Sequence, residues 1–135
     1  MKSLSSVTGR LHLVVGCGAG LGALLRFASG LLFSEFGLGA LWATAFVNIL
    51  GSFVITLFAA STGPNGRWPA GTAARQFVMG GICGGFTTFS TMSLDTFLLL
   101  HQGEPVRAVG YLVLVLFLSL AAAWAGYFLA RSVKR

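Results

Sequence analysis

Four apolar runs, over residues 11–33, 39–61, 74–100 and 106–130, fill most of this chain, and each is long enough to cross a bilayer. A hydrocarbon core of about 30 Å needs roughly 20 apolar residues per helix, and without water only helices or closed barrels satisfy their backbone polar groups. Turn residues separate the runs. Gly63-Pro64-Asn65-Gly66-Arg67-Trp68-Pro69 reads as a polar loop, and Gly103-Glu104-Pro105 as a tight turn. The first run carries Arg26 in place of the short apolar core and cleavage site of a signal peptide. The expectation is an all-α membrane protein with four transmembrane helices in a single domain, residues 1–135. Composition agrees, since 9% charged and 56% hydrophobic residues are far from a soluble domain, where about a quarter are charged.

An even number of spans puts both termini on one side, together with the loop between the second and third spans. That side holds Lys2, Arg10, Arg67, Arg75, Arg131, Lys134 and Arg135, against Arg107 alone on the other. Positive residues favour the cytoplasm, so both termini are expected there. The cations sit at span ends and form no clustered polar face of the kind that reads phosphates, which argues against a nucleic-acid partner. His12 and His101 also fall at span ends and read as interfacial.

Polar residues inside a membrane usually face neighbouring helices or a water-filled path. In the second span Thr44, Asn48, Ser52 and Thr56 recur every fourth residue and share one drifting helix face. They read either as interhelical glue or as the lining of a pathway, with the Asn48 amide as donor. The third span is stranger. Gly80, Gly81, Gly84 and Gly85 precede Thr87, Thr88, Ser90, Thr91 and Ser93. Glycine costs up to about 1 kcal/mol in a helix interior, so a continuous helix gains nothing from this stretch. It suits a helix broken at membrane depth, with free carbonyls on one side and free N–H groups on the other. The alternative is close helix packing through glycine.

Gly18, Gly20 and Ala23 fit a permissive dinucleotide fingerprint, but no alternating strands and helices follow. Gly16 with Gly20, and Gly18 with Gly22, read better as small-residue packing pairs. Cys17 and Cys83 lack metal or disulfide spacing and read as small buried hydrophobes. Arg26 either snorkels or holds a carboxylate or backbone carbonyls in the interior. Asp95 is the only carboxylate deep within a run, and no nucleophile with a base, acid pair or metal cluster is visible. The chain is expected not to be an enzyme.

Three stretches together resemble the Fluc (CrcB) family of fluoride channels along nearly the whole chain. Gly84-Gly85-Phe86-Thr87-Thr88-Phe89-Ser90-Thr91-Met92-Ser93 is similar to the family's third-helix signature, Gly22-Ala23-Leu24-Leu25-Arg26 to its first-helix pattern, and the segment from Thr44 to Asn48 to its second. The resemblance implies an antiparallel dimer of four-helix subunits with two fluoride pores and a structural Na⁺ at the dimer interface. It also implies export of cytoplasmic fluoride, down its gradient, across the cell inner membrane. Carried over by position, the Gly84 and Thr87 carbonyls hold the Na⁺, Asn48 and Phe89 meet the ion, and Met92 takes the second box position in the pore. Ser90, Ser93, Tyr111 and Ser119 supply hydroxyls beside the pore, and Arg26 is architectural. Neutral donors at intervals suit conduction, because they replace the water of a strongly hydrated anion without trapping it.

The chain departs from the family pattern at Met92, which stands where the second signature phenylalanine would be, at Val115, often serine in the family, and at Asp95, a glutamate position. The strong charge bias sits uneasily with oppositely inserted copies. A homodimer in the membrane lipid is the favoured reading, with an oppositely oriented paralogue as the alternative partner. Competing functions are a small multidrug-type proton-coupled exporter, disfavoured because the first span has Arg26 and no acid, and a non-transporting membrane scaffold.

Overall fold

The computed structural model describes residues 4–132 except Asn65, and is helical with no strand among the described residues. Lys2, Lys134 and Arg135 of the charge count lie outside them. Helix α1 covers Leu4–Glu35, and α2 covers Ala40–Thr62. The third span is two helices, α3 over 72–86 and α4 over Phe89–His101, and α5 covers Pro105–Ser132. Four stretches, Thr8–Glu35, Ala40–Thr62, Thr72–His101 and Pro105–Ser132, are long and apolar enough to span a membrane. The helices overrun the apolar runs. At 32 residues α1 is about 48 Å long, longer than a core of about 30 Å, and Arg10 near its start is exposed.

Two of the connections are set by glycine. Gly37 has φ +70°, and the N–H groups of Gly37 and Leu38 donate to Ser34 and Phe33, which closes the end of α1 in a Schellman turn. Gly103, at φ +77°, ends α4 in the same way, with Gly103 and Glu104 donating to Leu100 and Leu99. Pro105 then opens α5 at the first helical position, where its missing N–H costs nothing. At the other end of the bundle Arg75 donates to the Ala59 carbonyl, 3.2 Å, and to Thr62 Oγ1, 2.7 Å. A cation thus caps the last turn of α2, where carbonyls are left unpaired.

The bundle core is a pair of close approaches. The largest contacts are α2 with α5 and α1 with α3. A Cβ on Gly18 would lie 2.9 Å from Gly81 Cα, and one on Gly22 would lie 2.8 Å from Phe86 N and collide with Ile82 O. Gly85 meets the Ala19 backbone equally closely, and Gly126 of α5 rests on Phe53, Thr56 and Leu57 of α2. This register makes α1 parallel to α3 and α2 parallel to α5. The Gly18–Gly22 pair packs as expected. Gly16 and Gly20 face open space, and Cys17 beside them is exposed rather than buried, because that side of α1 turns away from α3. Cys83 is buried.

The glycines do not make the break in the third span. Residues Gln76–Cys83 form a π-helical stretch, and Gly81 and Gly85 bring the backbone onto α1, which is the packing reading of those residues. The chain leaves the helix only at Thr87 and Thr88, both extended. A valine at Gly85 is expected to lower stability by about 3 kcal/mol or more through backbone overlap. A valine at Gly20 is expected to change it by less than about 1 kcal/mol. Thermal unfolding of the two variants in detergent checks the contrast.

Candidate functional site at the broken third span

The break is built by Asn48. Its Oδ1 accepts from the Thr88 N–H at 2.8 Å, and its Nδ2 donates to the Thr88 carbonyl at 3.0 Å. The Thr88 N–H would otherwise continue the helix by pairing with the Gly84 carbonyl, so Asn48 diverts it and leaves that carbonyl without its helical donor. Thr88 then serves as the N-cap of α4. Its Oγ1 accepts from the Thr91 N–H at 3.1 Å and donates to Thr91 Oγ1 at 2.8 Å, with Ser90 Oγ 3.3 Å away. One amide side chain and one hydroxyl therefore hold an unwound turn at membrane depth.

Arg26 reaches the other half of the break, where its Nη1 donates to the Thr87 carbonyl at 3.3 Å. Of the alternatives left open by sequence, the guanidinium thus holds a backbone carbonyl. A cavity of about 490 Å³ opens beside the α1–α2 turn, at Ser34 and Gly39, and reaches Arg26, Thr44, Thr88 and Thr91.

The named residues divide into two groups. Phe89 is 74% exposed, and Ser90 and Ser93 share its outward surface, with Ser93 Oγ donating back to the Phe89 carbonyl. Met92, three residues on, turns inward. At 5% exposure it packs with Ala45 and Val115, flanked by Ile49, Tyr111 and Leu112. One chain therefore does not bring Phe89 and Met92 into a common lining. Ser119 Oγ is buried and has no hydrogen-bond partner among the described residues. That is unusual here, because Ser29, Thr56, Thr62, Thr87, Ser93, Thr96 and Ser132 all donate to carbonyls of the preceding turn.

Sequence reasoning gave Asp95 no role, and the structure gives it a partner. Its Oδ2 accepts the Tyr111 hydroxyl proton at 3.2 Å. The signal was present. Asp95 and Tyr111 lie equally far, in opposite directions, from Gly103, so a tight α4–α5 hairpin puts them at one depth. Thr88 was named only as part of a hydroxyl run, and its pairing with Asn48 follows no local spacing. Of the second-span stripe, Thr44 and Asn48 face this site, whereas Thr56 bonds to its own helix and faces Gly126.

The donor set for a cation is chemically suitable. The Gly84 carbonyl is freed by the diversion of Thr88, and the Thr87 carbonyl keeps a second lone pair beyond its bond to Arg26. Hard carbonyl oxygens suit an alkali cation. No group of three or more His, Cys, Asp or Glu side chains suited to a metal occurs among the described residues.

Residues 13–127 match the family model described as CrcB-like protein, Camphor Resistance (CrcB). The chain is 56% identical over 127 residues, 93% of each chain, to a protein of Brucella abortus named fluoride-specific ion channel FluC 3. Proteins named fluoride-specific ion channel FluC match at 46% over 121 residues in Opitutus terrae, covering 89% of this chain and 92% of that one, and at 41% over 125 residues in Methylocella silvestris, covering 92% and 95%. With a broken third helix, an asparagine that holds the break, and matches that run along most of the sequence, this chain belongs to the CrcB-like family.

Proposed function

We propose that this chain forms a fluoride-selective channel, not an enzyme, which lets cytoplasmic fluoride run down its electrochemical gradient across the cell inner membrane and so relieves toxicity. The observation that carries the reading is the turn at Thr87 and Thr88, opened at membrane depth and held by Asn48, which sets neutral donors where a transported anion loses its water. Irregular backbone at this depth belongs where it is covered by protein or lines a cavity. The names of the relatives point to the same ion.

In this reading Asn48 keeps one amide proton free after bonding to Thr88, and the edge of the Phe89 ring, the positive end of its quadrupole, faces the ion. Ser90 and Ser93 line the approach on the same outward face. Ser119 offers an unused hydroxyl, whereas the Tyr111 proton is committed to Asp95, so Tyr111 contributes through its position more than as a donor.

The exposed Ser90 and Ser93 hydroxyls and the open turn beside Phe89 are polar groups that lipid does not satisfy, and they need a cover. An oppositely inserted second copy supplies it, and gives two equivalent pores, each with a Phe89 on its wall. The Gly84 and Thr87 carbonyls of both subunits would then hold a structural Na⁺ at the dimer interface, and the ion would tie the two breaks together.

Fluoride release from liposomes that contain the purified protein, read with a fluoride electrode, tests the function. Fast fluoride release with no chloride release is expected, and slower release is expected when a large organic cation replaces Na⁺ on both faces. A folded dimer that passes neither anion favours the scaffold reading.

A further inference from the structure

Along α5 three residues at four-residue spacing meet very different surroundings. Tyr111 is polar and bonded to Asp95, with Thr44 beside it. A cavity of about 320 Å³ behind Leu41 and Trp42 ends at Tyr111 and Ala45, and the larger cavity from the α1–α2 turn reaches Thr44 from the other side of α2. Two openings therefore converge on one polar level.

One turn further along, the packing is apolar except for Tyr111 at its edge, whose hydroxyl is turned to Asp95. Val115 is 1% exposed, Ala45 4% and Met92 5%, and Ile49 and Leu112 pack against them. Met92, Ala45 and Val115 themselves offer an ion no side-chain donor. One more turn brings Ser119, whose buried hydroxyl is unpaired. Because α2 and α5 run parallel, with Gly126 against Phe53 and Leu57, Ser119 lies at the depth of Asn48 and Ser52. The order along the helix is polar, dry, polar, over about 12 Å from Tyr111 to Ser119.

We infer that Met92 and Val115 form a dry constriction that limits the rate at which a hydrated fluoride ion passes between the Tyr111 level and the Ser119 level. The inference rests on the channel reading and adds to it a gate in this chain. A constriction walled by a methionine and a valine excludes water, and so an anion that cannot shed its water there. Methionine suits such a gate, because its unbranched thioether changes rotamer at little cost whereas the β-branched valine holds its position. The unpaired Ser119 hydroxyl then has a reason to be free. It is the first donor on the far side of the dry layer.

The test uses the full-length protein in liposomes and compares fluoride release by the wild type, Val115→Thr and Val115→Leu. Threonine has the shape of valine and adds one hydroxyl to the layer, so packing is preserved while a donor appears. Release about fivefold faster with Val115→Thr, and slower with Val115→Leu, is expected. Release by Val115→Thr alone, with a silent wild type, also supports the gate. A conducting wild type that Val115→Thr leaves unchanged or slows overturns the gate and leaves the channel reading intact. Silence of both proteins as folded dimers overturns both. Met92→Leu, which keeps the volume but stiffens the side chain, is expected to slow release, and faster release from it would overturn the role of the thioether.

Discussion

Phe89→Ile is expected to cut fluoride release by roughly 100-fold, equivalent to about 2.7 kcal/mol of lost stabilisation along the path, while the protein stays folded and dimeric. The two side chains are similarly apolar. What isoleucine lacks is the positive ring edge, which takes the place of water hydrogens at an anion. Because Phe89 is 74% exposed in the subunit, it contributes little to that subunit's own packing. Subunit stability should therefore move by less than about 1 kcal/mol. Efflux from liposomes and size exclusion in detergent, done on one preparation, separate the two effects. Unchanged release from a folded dimer would reduce Phe89 to a packing surface.

Asn48→Ala is expected to have the opposite profile and to damage fold and flux together. The substitution leaves both the N–H and the C=O of Thr88 without their partner in a half-buried place. At about 1–3 kcal/mol for each unsatisfied group, the loss should be about 2–6 kcal/mol unless the chain re-pairs. The available repair is for Thr88 to donate to the Gly84 carbonyl and straighten the helix, which removes the turn. Thermal unfolding in detergent and fluoride release should therefore both fall. Asn48→Asp keeps the acceptor for the Thr88 N–H but loses the donor, so it should retain more stability than alanine. Its negative charge should still suppress anion flux. A stable, straightforwardly folded Asn48→Ala protein with lost flux would make Asn48 a pore ligand only.

Much of this architecture was legible in the residue order. The four spans follow from run length, and the turn at Gly103 from glycine and Pro105 at the end of an apolar run. The pairing of Asp95 with Tyr111 could have been read from their equal distance to the Gly103 turn. Arg26 illustrates a partial reading, since snorkelling, a carboxylate and backbone carbonyls were all left open and the structure gives it the Thr87 carbonyl.

The break was harder to place. Glycine is rare in helices for an energetic reason, so four of them suggested where the third span would open. The same lack of a Cβ also lets two backbones touch, and that is how Gly81 and Gly85 are used against Gly18 and Ala19. A propensity measured along one helix cannot distinguish these uses, because the second depends on what lies opposite. The actual opening at Thr87 and Thr88 is set by Asn48, forty positions away in the chain.

Membrane class and span count thus came from patterns that act locally, through the length of apolar runs and the turn chemistry between them. The site of the break, the dry contact of Met92 with Val115, and the outward exposure of Phe89 and Cys17 came from the packing of helices distant in sequence. The physical reason is that lipid rewards apolar residues on every face of a helix. Hydrophobic periodicity, which marks the core side of a helix in water, therefore carries little information here, and the facing surfaces are chosen by small residues and a few buried hydrogen bonds.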